Sequence, residues 1–278
     1  MHVPDLASEV RRNVAAALVE DLGSGDITAA LVPEAAEARA HVITREDAVL
    51  CGCAWFEEVF RQLDSSVRVS WQVPEGSRLR TGSTICELVG KARPLLSGER
   101  TALNFLQLLS GVATRTRRYV DTVAGTRAKI LDTRKTLPGL RSALKYAVRT
   151  GGGTNHRMGL YDGVLIKENH IAAAGGIAQA LAAARALAPS LPIQIEVESL
   201  ADLACAIENG ARLILLDNFG VEMLREAVRV ANGRAELEAS GGITLDNLRA
   251  VAETGVDRIS IGTLTKDIEA IDLSMRFL

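Results

Sequence analysis

From residue 129 to residue 261 the chain repeats one rhythm, a short apolar run followed by an amphipathic or Ala-rich stretch. The apolar runs are Lys129–Leu131, Gly163–Ile166, Ile193–Val197, Leu213–Leu216, Glu236–Ala239 and Arg258–Ile261, and each reads as a strand. Helical patterns at Ala172–Leu187, Leu200–Glu208, Val221–Ala231 and Leu245–Glu253 separate most of them. Strands that alternate with helices are joined by crossovers and run parallel. Six strands fall short of the eight that close an ordinary β/α barrel, so the pattern predicts an incomplete six-stranded parallel α/β barrel.

The first part of the chain has a different texture. Leu6, Val10, Val14, Leu18 and Leu22 recur every four residues and predict a helix over the first 22 residues, stopped by Gly23 and Gly25. His41–Thr44, Ala48–Leu50, Val67–Trp71 and Ile85–Val89 read as short strands, with a helix near Cys53–Leu63. A helix over 98–124 leads into the barrel. The expected organisation is an N-terminal open α/β sandwich domain over 1–110 and a catalytic barrel over 111–278, whose last helix packs back on the N-terminal domain.

Composition narrows the function. Apolar residues make up 47% of the chain, which excludes a disordered polymer. A formal net charge of −2 and 4% aromatic residues argue against a nucleic-acid binder, which carries a basic face or stacking rings. The N-terminal stretch carries Asp5 and Glu9 ahead of any apolar run, which is not the pattern of an export signal. The Ala-rich stretch after Ile171 is broken by Gly175, Gly176, Gln179 and Arg185, which is not that of a membrane span. The four cysteines show no zinc or redox spacing and read as small core fillers in a reducing cytoplasm.

In a β/α barrel the chemistry sits where strands end. Here the ends read Asp132-Thr133-Arg134-Lys135, Lys167-Glu168-Asn169-His170, Glu196-Val197-Glu198, Asp217-Asn218, Ser240-Gly241-Gly242 and Gly262-Thr263. One polar strand end is a solvated cap; six together point to a site. Residues 111–170 hold 12 Lys+Arg against 4 Asp+Glu, a local +8 that leaves −10 to the rest. Arg134, Lys135, His156, Arg157 and Lys167 fall at strand ends or in the loop after the first strand. Such a cluster focuses a field that attracts anions, and guanidinium forks match carboxylate and phosphate. Ser240-Gly241-Gly242 and Gly262-Thr263 can turn backbone N–H groups toward a phosphate. Glu196 and Asp217 sit on largely apolar strands and need a cation, which a Lys or Arg or a Mg²⁺ ion shared with a phosphorylated substrate would supply equally well. Alternation gives Glu198 the same face as Glu196. A cap and a supporting role are both open for His170.

The stretch from Leu144-Lys145-Tyr146-Ala147-Val148-Arg149 through Gly151-Gly152-Gly153-Thr154-Asn155-His156-Arg157 to Lys167-Glu168-Asn169-His170 closely resembles the quinolinate phosphoribosyltransferase family. Gly25-Asp26-Ile27-Thr28, Gly98-Glu99-Arg100-Thr101, Asp132-Thr133-Arg134-Lys135-Thr136, Glu196-Val197-Glu198, Leu216-Asp217-Asn218 and Ser240-Gly241-Gly242-Ile243 resemble it in the same order along nearly the whole chain. The resemblance implies an enzyme that joins quinolinate to phosphoribosyl pyrophosphate with Mg²⁺, releasing nicotinate mononucleotide, pyrophosphate and CO₂ in de novo NAD biosynthesis. It implies a homodimer or hexamer whose active sites are shared between subunits. Lys135, Lys167, Glu196 and Asp217 are its expected catalytic residues. Arg134, His156, Arg157 and Lys167, with Lys135 and Thr133, would hold carboxylates and phosphates. Arg100 would arrive from a partner subunit, and Glu196 and Asp217 would serve ribose and metal. Ser240, Gly241, Gly242, Gly262 and Thr263 would seat a phosphate. Three alternatives stand beside it: a phosphoribosyltransferase for another base, a Schiff-base aldolase working through Lys167, and an anion-binding barrel without turnover.

Overall fold

The computed structural model describes residues 5–278. They form two compact units. The first takes the described residues up to Arg117, then Thr136–Gly152 and Leu264–Leu278; the second takes Arg118–Lys135 and Gly153–Thr263. The expected boundary at 110/111 falls inside one continuous helix, so compactness does not follow a single cut in the chain. None of the described helices is long and apolar enough to cross a membrane.

In the first unit, α1 (Leu6–Leu22) starts where the Asp5 carboxylate accepts the Ser8 N–H at 2.7 Å and stops at Gly23. β1 (Glu37–Thr44), β2 (Ala48–Val49), α2 (Cys53–Leu63), β3 (Arg68–Trp71), β4 (Arg78–Leu79) and β5 (Thr84–Lys91) follow, and then α3 (Ala92–Thr122). Pro94 sits in the first turn of α3, where a missing N–H costs nothing. The main sheet is antiparallel, in the order terminal strand Leu273–Phe277, β1, β5, β3. The chain therefore ends in a strand and not in the expected helix. Leu273, Met275 and Phe277 alternate with Ser274 and Arg276, a period of two that only a strand can satisfy. Trp55, Phe56 and Phe60 fill the core of this unit and are fully buried.

The second unit begins with β6 (Lys129–Leu131). The chain then leaves for the first unit, where Arg141–Thr150 forms α4, a helix the sequence reading leaves as loop. Ala143, Leu144, Ala147 and Val148 form its buried face, a pattern short enough to be masked by Pro138-Gly139 and the glycines from 151. Back in the second unit come β7 (Val164–Ile166), α5 (Glu168–Ala174), α6 (Ile177–Leu187), β8 (Ile193–Val197), α7 (Leu200–Glu208), β9 (Leu213–Asp217), α8 (Val221–Ala231), β10 (Glu236–Ser240), α9 (Leu245–Ala252) and β11 (Arg258–Ser260). All six strand predictions hold to within about one residue. The expected helix over 172–187 is two helices, because Gly175 and Gly176 take positive φ between them.

The six strands are parallel, in the order β6-β11-β10-β9-β8-β7. This is the order of a barrel opened between its first and second strands, an incomplete α/β barrel. On the open side of β6, an isolated parallel bridge joins Leu131 to Thr154. Inward and outward residues alternate along the strands. Leu237 and Ala239 are buried in the opposite direction from Glu238 and Ser240.

Candidate active site

At the C-terminal ends of the barrel strands lies a cavity of ≈ 430 Å³ lined by Thr133, Arg134, Lys135, His156, Arg157, Lys167, Glu196, Asp217 and Ser240, with Leu165, Leu215, Glu238 and Ser260 completing it. Its volume suits a small-molecule ligand. A larger cavity of ≈ 950 Å³ lies in the first unit beside α1, α2 and β3, where Arg61 and Glu58 pair with each other at 2.6 Å.

Register puts these groups together. Parallel pairing sets Ser240 of β10 beside Asp217 of β9, and Glu196 of β8 beside Leu215 of β9. Glu196 is buried, and both its oxygens take hydrogen bonds from Lys167 Nζ, at 3.1 and 2.9 Å. Lys167 is thus one of the cation partners the sequence left open for Glu196. Lys167 is the N-cap of α5, where its N–H donates to His170 Nδ1 at 3.0 Å, so His170 takes the capping role. Asp217 is half-buried and accepts the Asn218 side-chain amide at 2.8 Å.

On the other side, Asp132 is fully buried and accepts the His156 backbone N–H at 2.8 Å and the Asn155 side-chain amide. That fixes the segment carrying His156 and Arg157. Both ring nitrogens of His156 are engaged by protein: Nδ1 accepts the Arg157 N–H at 2.8 Å, and Nε2 meets Gln194 Oε1 at 2.9 Å. Its ring lines the cavity wall with those two bonds in place. Arg157 donates to the Gly163 carbonyl at 3.1 Å. Burial, and then the neighbouring Arg134 charge, lower the pKa of Arg157 from its ordinary value. Two guanidiniums this close in a partly dry cavity favour an anion between them.

The glycine turn after β10 has a steric cause. Gly241 has φ +97°, and a Cβ there would fall 2.1 Å from Asn218 Oδ1. Gly241 and Gly242 do not line the cavity themselves; Ser240 does. Gly262 backs onto the wall, where a Cβ would meet Lys135 Cδ at 3.1 Å. Thr263 Oγ1 is buried without a hydrogen-bond partner. Arg100 is exposed on α3 in the first unit and does not line this cavity. Glu198 is exposed just past β8 and lines a neighbouring cavity of ≈ 210 Å³ with Asp202, sharing Glu196 with the main one. Sequence reasoning missed Gln194, Glu238 and Ser260. The signal was present: each lies two residues before a strand-end residue singled out, Glu196, Ser240 and Gly262, and so shares its face.

A metal site made by protein alone is not evident. Among the described residues no group of three His, Cys, Asp or Glu is placed to hold an ion. All four cysteines are free, and burial raises the thiol pKa of Cys51, Cys53 and Cys86 well above the ordinary range, as suits core fillers.

Comparison with known proteins covers nearly the whole chain. Residues 26–110 match the family profile of the quinolinate phosphoribosyl transferase N-terminal domain, and residues 112–276 that of its C-terminal domain. A nicotinate-nucleotide pyrophosphorylase [carboxylating] of Mycobacterium leprae is 45% identical over 274 residues, covering 95% of this chain and 96% of the relative. A probable nicotinate-nucleotide pyrophosphorylase [carboxylating] of Bacillus subtilis is 43% identical over 258 residues, 92% of this chain and 89% of the relative. The solved structure of the nicotinate-nucleotide pyrophosphorylase from Francisella tularensis superposes with a TM-score of 0.96 at 45% identity, over 100% of this chain and 98% of that one.

Proposed function

Because the chain belongs to the quinolinate phosphoribosyl transferase family, we propose that it transfers the phosphoribosyl group of phosphoribosyl pyrophosphate to quinolinate. The products are nicotinate mononucleotide, pyrophosphate and CO₂, a step of de novo NAD biosynthesis. The observation that carries this reading is the cavity's arrangement of charge. Arg134 and Arg157 are close enough to influence each other, Lys135 and Lys167 line the same cavity, and Glu196 and Asp217 face them. Two polyanions brought side by side need that surplus of fixed donors.

In this reading Arg134 and Arg157 clamp the two ring carboxylates, with Lys135 beside them. An incoming carboxylate competes with Glu196 for the Lys167 ammonium and frees a Glu196 oxygen for a ribose hydroxyl. Ser240 and the turn behind it, with Gly262 and Thr263, seat a phosphate. The ring nitrogen's lone pair forms the new bond to the ribose carbon as the bond to pyrophosphate breaks. Glu196 and Asp217 stabilise the oxocarbenium character that develops there. The carbon–carboxylate bond then breaks. Its electron pair stays on the ring carbon beside the cationic nitrogen and takes a proton from water. Positioning and electrostatics carry the rate, and no protein nucleophile is needed.

Mg²⁺ fits as an ion that arrives with the substrate. Asp217 has one oxygen on Asn218 and is half-buried, whereas Glu196 gives both oxygens to Lys167. One carboxylate with phosphate oxygens and water is how Mg²⁺ is commonly held. When bound, it would neutralise the departing pyrophosphate. The assembly we propose is a homodimer, or a hexamer built from such dimers, in which Arg100 completes a partner's site, and the free thiols support a cytoplasmic setting.

The test follows CO₂ and mononucleotide formation from phosphoribosyl pyrophosphate, Mg²⁺ and either quinolinate or nicotinate. Turnover with quinolinate and not with nicotinate supports the dicarboxylate reading. Folded protein that turns over neither would overturn it.

A further inference from the structure

We infer that Glu238 is a positioning residue for the dicarboxylate end of the site: through Gln194 it fixes the ring of His156, and through that ring the segment carrying Arg157. The functional half of this inference rests on the quinolinate reading above.

The support is a line of hydrogen bonds across the barrel interior, each with a forced direction. The Arg157 backbone N–H donates to His156 Nδ1 at 2.8 Å. A ring nitrogen that accepts carries no proton, so the proton of the neutral ring is on Nε2. Nε2 donates to Gln194 Oε1 at 2.9 Å, which turns the amide nitrogen of Gln194 the other way. That nitrogen donates to Glu238 Oε2 at 3.0 Å. A histidine can change tautomer and an amide can flip, but a carboxylate at the end of the line only accepts. The line is thus closed at both ends, by the Arg157 N–H that only donates and by Glu238 that only accepts, and Glu238 is the end that a side-chain substitution can remove.

Two further observations separate this role from ordinary packing. Glu238 is 1% exposed, and its second oxygen, Oε1, has no hydrogen-bond partner; it lies 3.6 Å from His156 Nε2. An unmade hydrogen bond to a buried carboxylate costs stability, and an apolar residue of similar volume would avoid that cost. The segment it fixes also lies at the opening of the barrel, where the Leu131–Thr154 bridge takes the place of a continuous ladder. Side-chain bonds from Asp132, Gln194 and Glu238 hold there what a neighbouring strand would hold elsewhere.

The test uses the full-length protein. Glu238→Met keeps the volume and removes the acceptor, Glu238→Gln keeps an acceptor for Gln194, and Gln194→Met removes the middle of the line. Ring ¹⁵N shifts of His156, assigned by their loss in His156→Asn, read the tautomer without substrate. Wild type should show one tautomer with the proton on Nε2, and each Met variant a mixture of both. KM for quinolinate should rise about tenfold in each Met variant with kcat within about threefold. The two effects should fail to add in the double variant, and Glu238→Gln should recover most of the lost affinity. A folded Glu238→Met or Gln194→Met protein that keeps the single tautomer, or the wild-type KM, overturns the inference. If Glu238→Met does not fold, Gln194→Met and Glu238→Gln decide by the same readouts. Wild-type protein that leaves quinolinate unchanged would sink the proposed reaction, while the tautomer measurement still judges Glu238.

Discussion

At the N-terminal ends of the barrel strands, Arg258 pairs with Glu236 through two contacts at 2.8 and 2.5 Å, Arg127 pairs with Asp257, and Arg212 gives a hydrogen bond to the Arg234 carbonyl. Arg127, Arg212, Arg234, Glu236 and Asp257 line a cavity of ≈ 320 Å³, not far below the ≈ 430 Å³ at the opposite ends of the same strands. Volume does not separate the two ends, and neither does residue type. The difference lies in how the charges are arranged. At the N-terminal end these guanidiniums meet protein acceptors in exposed, local pairs. At the C-terminal end Arg134, Lys135, Arg157 and Lys167 converge on one cavity even with Lys167 paired to Glu196, the Glu238 carboxylate is buried with an oxygen unmatched, and the backbone is forced through a glycine-only turn. An end that satisfies itself stabilises the fold; an end that keeps charge in tension is prepared for something else.

This contrast can be broken most sharply at Lys167. Lys167→Ala should lower kcat/KM for quinolinate by about 10³-fold, the scale of losing an electrostatic contact in a preorganised site. Steady-state rates check it, and a change below about tenfold would make the two ends equivalent. The second experiment asks whether the C-terminal end is incomplete in one chain. Mixing Arg100→Ala and Lys167→Ala subunits should restore about a quarter of wild-type activity, since half of randomly paired dimers then contain one intact site of two. No recovery despite demonstrated subunit exchange would assign every site residue to one chain. Third, Gly241→Ala forces a Cβ against Asn218 at a positive φ. It should cost about 1–3 kcal/mol in thermal or denaturant unfolding and raise KM for phosphoribosyl pyrophosphate. The smallest effect belongs to the N-terminal end. Arg127→Ala should leave kinetics unchanged and shift stability by no more than about 1 kcal/mol, as exposed pairs do.

The barrel strands were readable from sequence because parallel strands buried on both faces appear as continuous apolar runs bounded by polar breaks. The strand-end residues were readable for the same reason, since a charge at the edge of an apolar run stands out. Gln194 and Glu238 were harder to see because they lie inside the runs, where one polar residue reads as tolerated noise. Their meaning depends on β8 and β10 facing a common interior, which no single strand reports. Arg141–Thr150 was missed because its ten residues are bracketed by glycines. The final strand was missed because its partner, β1, lies more than two hundred residues earlier in the chain.

The opening between β6 and β7 has a mechanical consequence. In a closed barrel, strand number and stagger fix the diameter, so the mouth cannot widen without breaking ladder bonds. This barrel has a seam, held by one bridge and by the side chains around Asp132, and Arg157 sits along it. A widening of the mouth along that one line would leave the other strand pairings intact. Amide exchange slowed by bound ligand should therefore concentrate beside the seam, and the far side of the barrel should hardly register that anything has bound.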